Sequence, residues 1–239
     1  MSKDIQLFIL PYAGGSIASF KRLTDLINES IEVITVEYPG RGTRAKEPLV
    51  NSIQDLLNDA IEYCRDRKRP GIPYAIMGYS MGSVLAYEMV ARDIFPELPL
   101  HMFIAAEVSP KDRALELRKV ENPTEDRIIE RAKKLGGFDE RLLANKRFFD
   151  IYMKPMMLDY RLFFQYRFSG TPEKIKTDTT VFYCEKDTKW ADVCKWEELI
   201  DGSFDYHEMG ENHFFINQHY KEMACVINNI LLQEVTNDF

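Results

Sequence analysis

The chain has 239 residues, 45% hydrophobic and 29% charged, with a formal net charge of −7. That length supports one large domain, or a domain carrying an insertion, with a sizeable core. The acidic balance argues against nucleic acid as the main partner, and no segment approaches the roughly 20 apolar residues of a membrane span.

The first fifteen residues hold no basic region ahead of an apolar run of signal-peptide length. Their apolar run, Gln6–Leu10, reads as a strand ending at Pro11. Cys64, Cys184, Cys194 and Cys225 are scattered without metal-ligand spacing. They read as reduced, mostly buried thiols of a cytoplasmic protein. No residue pattern calls for a metal or an organic cofactor. Ser19–Asn28 has the helical spacing of Phe20, Leu23, Leu26 and Ile27. Glu32–Tyr38 alternates, is rich in β-branched residues, and breaks at Pro39-Gly40. Ser52–Arg67 predicts an amphipathic helix with Ser52 as its N-cap.

Residues 74 to 91 are the most informative. Ala75-Ile76-Met77 is a short apolar strand, Gly78-Tyr79-Ser80-Met81-Gly82 fits G-x-S-x-G, and Ser83–Val90 reads as a helix. Strand, sharp turn and helix form the context in which that motif exposes a nucleophilic serine. The bland alternative is a glycine-rich corner with an inert, capping Ser80.

Leu100–Ala106, Thr179–Cys184 and Phe204–Glu208 read as further strands. Ala191–Ile200 and Tyr220–Glu234 read as helices. Strands alternating with helices imply an α/β fold, a mostly parallel sheet covered on both faces. Residues 110–176 break the rhythm. They show helical periodicity in Glu125–Leu135 and Leu142–Phe168, with Gly136-Gly137 as a turn between them. Residues 1–109 and 177–239 therefore form the expected core, and 110–176 an inserted helical lid. The second of these helices is dense in aromatics and methionines, which serve either core packing or an apolar channel.

A serine hydroxyl needs a base, and the base an orienting group. His101 opens a strand at the far rim, His207 lies within a strand, and His219 leads into the last helix. His213 follows the last strand, on the rim where the elbow opens, and is the expected base. Thr180–Cys184 feeds Glu185-Lys186-Asp187, making Asp187 the expected acid, with Glu185 and Asp192 as competitors. The order Ser80, Asp187, His213 is that of α/β-hydrolases. The first oxyanion donor is the backbone N–H of Met81. The second is expected from the loop Pro11–Ser16, which lacks the glycine spacing of a phosphate-binding loop.

Taken together, Pro11-Tyr12-Ala13-Gly14-Gly15, Tyr38-Pro39-Gly40-Arg41, the Gly78–Gly82 elbow, Ser109-Pro110, Asp159-Tyr160 before Tyr166, and His213-Phe214-Phe215 resemble the motif series of type II thioesterases. These are the stand-alone editing enzymes of nonribosomal peptide and polyketide synthases. The resemblance spans nearly the whole chain in motif order. It implies an α/β-hydrolase fold with a helical lid, the triad Ser80, Asp187 and His213, and an oxyanion hole from the N–H groups of Ala13 and Met81. It also implies an acyl or aminoacyl thioester substrate on the phosphopantetheine arm of an acyl or peptidyl carrier protein. The chain departs from the family at Glu211-Asn212, where glycines usually precede the histidine.

Two basic clusters remain. Arg65, Arg67, Lys68 and Arg69 fall at the far rim and read as a solvated helix end. Arg41, Arg44 and Lys46 fall on the reactive rim. Arg41 or Arg44 either contacts the pantetheine phosphate or carrier protein, or simply pairs with Glu37 or Glu47. The expectation is a monomeric, cytoplasmic acyl-thioester hydrolase working through an acyl-Ser80 intermediate. Three rivals stand beside it: an acyltransferase with the same triad, a small-molecule esterase or lipase, and a non-catalytic binder.

Overall fold

The computed structural model describes residues 3–119, 124–136, 144–168, 170 and 174–237. Among the described residues six strands pair in parallel: β1 (Ile5–Leu10), β2 (Ile31–Thr35), β3 (Tyr74–Tyr79), β4 (Met102–Ala105), β5 (Thr179–Tyr183) and β6 (Phe204–Glu208). Their spatial order is β2-β1-β3-β4-β5-β6. β1, β3 and β4 are buried along their whole length, so they read as unbroken apolar runs rather than alternating ones. β2 ends at Thr35, short of the expected Tyr38. The Val36 N–H still donates to the Ile9 carbonyl (2.8 Å), after which the chain leaves the sheet toward the Pro39-Gly40 turn.

The helices are α1 (Ile17–Thr24), α2 (Ile53–Arg65), α3 (Met81–Ala91), α4 (Pro110–Arg118), α5 (Glu125–Leu135), α6 (Lys146–Phe148), α7 (Lys154–Phe163), α8 (Trp190–Val193) and α9 (Ile216–Asn237). α1 and α9 bury Phe20, Leu23, Ile216, Met223 and Ile227 against one sheet face. α2 and α3 bury Leu56, Leu57, Val84 and Leu85 against the other. Ser52 caps α2 as expected, its hydroxyl accepting from the Asp55 N–H. Among the described residues no helix is long and apolar enough to cross a membrane.

α4 to α7 stand between β4 and β5, within residues 110–176. α4 was not anticipated; Pro110 stands in its first turn, where the missing N–H costs nothing. Ser109 caps it by accepting from the Asp112 N–H. α5 has the expected bounds and closes on Gly136 at φ +77°; Gly137 lies outside the described residues. So does the start of the expected Leu142–Phe168 helix. The described part runs from α6 through a π-helical turn, Phe149–Met153, into α7, which ends at Phe163. Pro155 explains the wide turn: its ring would strike the carbonyl four residues back in a regular helix. α1 spans Ile17–Thr24 rather than Ser19–Asn28. α8 passes into a 3-10 turn, Cys194–Glu198. In the far-rim cluster Arg65 and Arg67 are exposed as expected, while Lys68 is paired to Glu97 and Arg69 to Glu32.

Candidate active site

The strand order reverses direction beside β1, so the loops leaving β1 and β3 diverge and open a crevice at their carboxyl ends. Ligands of open α/β sheets bind at such a point. The loop after β3 contains Ser80, held at φ +53°, ψ −121°, a conformation costly for any residue with a β-carbon. Two glycines make the turn sterically feasible. A Cβ on Gly78 would lie 2.3 Å from the Gly82 carbonyl oxygen, and one on Gly82 would lie 2.0 Å from the Leu10 carbonyl oxygen. The Ser80 N–H donates to the Ala105 carbonyl (2.7 Å). The Ser83 hydroxyl donates to that carbonyl and accepts from the Ala105 N–H (3.0 and 3.2 Å). The elbow is thereby bolted to β4.

His213 Nε2 lies 3.0 Å from Ser80 Oγ, and its Nδ1 lies 2.7 Å from Asp187 Oδ2. An ionised carboxylate can only accept, so it fixes the imidazole proton on Nδ1 and leaves Nε2 to accept from the serine. Burial pushes the Asp187 carboxyl up, but its hydrogen bond and charge interaction with His213, and the Thr188 hydroxyl, bring it below the ordinary carboxylate range. The competitors are occupied elsewhere. Glu185 accepts from the Trp190 N–H (2.8 Å), and Asp192 pairs with Lys195 (2.9 Å). The other histidines have distant partners: His101 with Thr180, His207 with Asp205, His219 with Glu222.

Two contacts set the histidine loop. The Tyr79 hydroxyl donates to the His213 carbonyl (2.6 Å). The Asn212 side chain accepts from the Phe214 N–H (2.9 Å), an Asx turn that shapes the loop without the glycines usual there.

Two chambers meet at Ser80 and His213. One, about 270 Å³, is lined mainly by apolar side chains, among them Tyr12, Ala132, Phe148, Met153, Met156 and Phe214. The other, about 540 Å³, carries Arg131, Lys134, Lys186 and Lys189 alongside Glu116, Asp192 and the Glu107–Arg113 pair, with Lys186 also 3.3 Å from Glu211. Ala13, Leu135 and Tyr160 line both. Ala13 follows β1, and Met81 opens α3, where the first N–H groups have no intrahelical partner.

Arg41 and Arg44 line neither chamber, and both are paired with carboxylates, the second of the two expectations for this cluster. Arg41 is buried and grips Asp159 with two bonds (2.5 and 2.6 Å). Arg44 bonds Glu47, Asp59 and the Glu37 carbonyl. Pairing of Arg44 with Glu47 was among the expectations; Asp159 was not, because it lies 118 residues from Arg41. The sequence also gave no sign of Thr188, Tyr79 or the four cations of the second chamber. Asp159 stood in a recognised motif, but nothing in the sequence assigned it a partner.

The family model described as Thioesterase domain matches residues 5–231. The chain is 24% identical over 233 residues to Thioesterase PikA5 of Streptomyces venezuelae, covering 95% of this chain and 81% of that protein. It is 25% identical over 220 residues to the medium-chain S-acyl fatty acid synthase thioesterase of Rattus norvegicus, covering 88% and 81%. The crystal structure of ClbQ from the colibactin NRPS/PKS pathway superposes with a TM-score of 0.82 at 25% identity, over 98% of this chain and 99% of that one. With a family match that takes in all six strands and the whole Ser80–His213–Asp187 arrangement, the chain belongs to the thioesterase family.

Proposed function

We propose that the protein is a stand-alone type II thioesterase. It removes acyl or aminoacyl groups from the phosphopantetheine arm of acyl and peptidyl carrier domains of nonribosomal peptide or polyketide synthases. It acts as a monomer in the cytoplasm. The observation that carries this reading is the junction of an apolar and a cation-bearing chamber at the Ser80 hydroxyl. An acyl chain suits the first. The pantetheine arm, with its terminal phosphate, suits the second, where Arg131, Lys134, Lys186 and Lys189 take the part first assigned to Arg41 and Arg44. The free thiols of Cys64, Cys184, Cys194 and Cys225 accord with a reducing compartment. The NRPS/PKS origin of ClbQ points the same way.

In this reading His213 Nε2 takes the Ser80 proton as Oγ attacks the thioester carbonyl. The N–H groups of Ala13 and Met81 hold the developing oxyanion; each such donor is worth about 3 to 4 kcal/mol. The C–S bond breaks and the thiolate leaves, taking the proton from His213. The imidazole then deprotonates water, which attacks the acyl-serine, and Ser80 regains its proton as the acid departs. Asp187 holds the tautomer throughout, and α4 to α7 act as the lid.

The test offers wild type and Ser80→Ala a carrier protein loaded with a short acyl chain, and follows the carrier by mass spectrometry. Release of free acid by wild type alone supports hydrolysis. Transfer to an added amine or thiol would make it an acyltransferase, and retention of the chain by both proteins would leave a binder.

A further inference from the structure

Two motifs of the sequence, Tyr38-Pro39-Gly40-Arg41 and Asp159-Tyr160, are left unused by the mechanism, yet they meet on one loop. The turn Tyr12-Ala13-Gly14-Gly15 is closed by the Gly15 N–H donating to the Tyr12 carbonyl (2.7 Å). Gly14 at its third position has φ +79°, the mark of a type II turn. The Tyr38 hydroxyl donates to the Pro11 carbonyl at the start of this loop (3.1 Å), and Arg41 Nη1 reaches the Gly15 carbonyl at its end (3.4 Å). Between them, Asp159 Oδ2 accepts from the Gly14 N–H (2.7 Å). The carboxylate that does so is fully buried and is held in both its oxygens by Arg41.

We propose that Asp159 is a positioning residue for the oxyanion hole, with Arg41 orienting and neutralising its carboxylate: by holding the Gly14 N–H it anchors the turn whose preceding peptide, Tyr12–Ala13, presents the Ala13 N–H. Rotating the Ala13–Gly14 peptide, as a type I turn requires, would aim the Ala13 carbonyl at the Asp159 carboxylate. The Gly15 N–H on the Tyr12 carbonyl fixes the plane of the Tyr12–Ala13 peptide, and the anchored turn holds that peptide in the wall that Ala13 shares with Ser80. A buried ion pair contributes little net stability after its desolvation cost, so packing alone does not account for this one. Asp159 lies on α7, and Met156 on the same helix leaves no room at Gly14, where a Cβ would sit 2.6 Å from that of Met156. Seating of α7 over the apolar chamber and alignment of the oxyanion donor are thus one event.

The inference rests on Ser80 being the nucleophile, which the Ser80→Ala comparison tests separately. Two double variants remove the buried charges together. Arg41→Met with Asp159→Asn keeps an acceptor for the Gly14 N–H; Arg41→Met with Asp159→Leu does not. On octanoyl-pantetheine the first should stay within about threefold of wild type. The second should lose about 100-fold in kcat/KM, the scale of a displaced oxyanion donor. Its affinity for a trifluoromethyl ketone analogue, which forms a tetrahedral adduct on Ser80, should fall in step. Its affinity for the S-octyl thioether of pantetheine, which forms none, should not change. Equal losses in both variants, or none in either, would overturn the proposal. If the second variant fails to fold, the wild-type enzyme decides. A Gly14 amide protected from hydrogen exchange and shifted downfield by the carboxylate supports the lock, and one exchanging at the rate of an open loop sinks it.

Discussion

At the scale of single residues, the site depends on atoms whose neighbours are set by the fold. Gly78 and Gly82 were legible, because a strand-to-helix elbow leaves no room for a side chain at either. Asp187 was legible as the expected acid at a strand end, though Glu185 and Asp192 stood beside it as competitors. What selects it is reach, 2.7 Å to His213 Nδ1. Asp187→Asn keeps the volume but offers an amide that can donate to Nδ1, which favours the wrong tautomer. A loss in kcat of about 10⁴-fold is expected on the precedent of the same change in a serine protease, measured as steady-state thioester hydrolysis. The change also alters acid stability. The folded carboxyl lies below its ordinary range, so its contribution is present above about pH 3.9 and is lost as pH falls through the lowered value. Urea unfolding should therefore find wild type more stable than the variant at pH 7, with the gap narrowing in strong acid.

At the scale of elements, the sequence was legible where one period dominates. β1, β3 and β4 are apolar runs too short for helices, and α5 shows a clean amphipathic stripe. It was opaque where local chemistry admits two outcomes. Pro110 can end one element or open the next, and Pro155 widens a helix instead of ending it. His101 belongs to this scale because it joins β4 to β5. It lies just before β4, its Nε2 bonded to the Thr180 hydroxyl (2.8 Å), its ring against Phe103. Burial lowers its pKa from the ordinary 6.5 to about 4, despite the opposing charges of Asp178 and Asp205. The unfolded chain takes up a proton below pH 6.5 that the folded chain refuses until about pH 4, so stability falls as pH drops through that window. The loss is at most about 3 kcal/mol at 1.36 kcal/mol per pKa unit. His101→Gln should flatten the pH dependence of urea unfolding between pH 6.5 and 4 without changing turnover, because the far rim takes no part in the chemistry. An equally steep decline in the variant would assign the acid sensitivity to other groups.

At the scale of the whole molecule, the alternation of strands and helices made the covered parallel sheet legible, but not the division of the apolar mass above it. Met157 and Leu162 pack as buried side chains of α7, while Met153 and Met156, in the same helical run, line the smaller chamber. Composition cannot separate these pairs, because a core and an acyl pocket require the same side chains; only the placement of the helical run over the crevice does so. That placement sets a chain-length limit. A dry cavity of about 150 Å³ holds a benzene, so about 270 Å³ accommodates on the order of ten heavy atoms. Each methylene buried there contributes up to about 0.8 kcal/mol, or about fourfold in kcat/KM where the contact is held in the transition state. Across acyl-pantetheines of increasing length, log kcat/KM should rise nearly linearly and then break near ten carbons, where further atoms must stay in water or displace α7. Met153→Ala enlarges the chamber and should move the break to longer chains. If the break stays in place, the limit lies in the mouth of the site rather than in this chamber. If no break occurs up to sixteen carbons, the acyl chain does not enter the chamber at all.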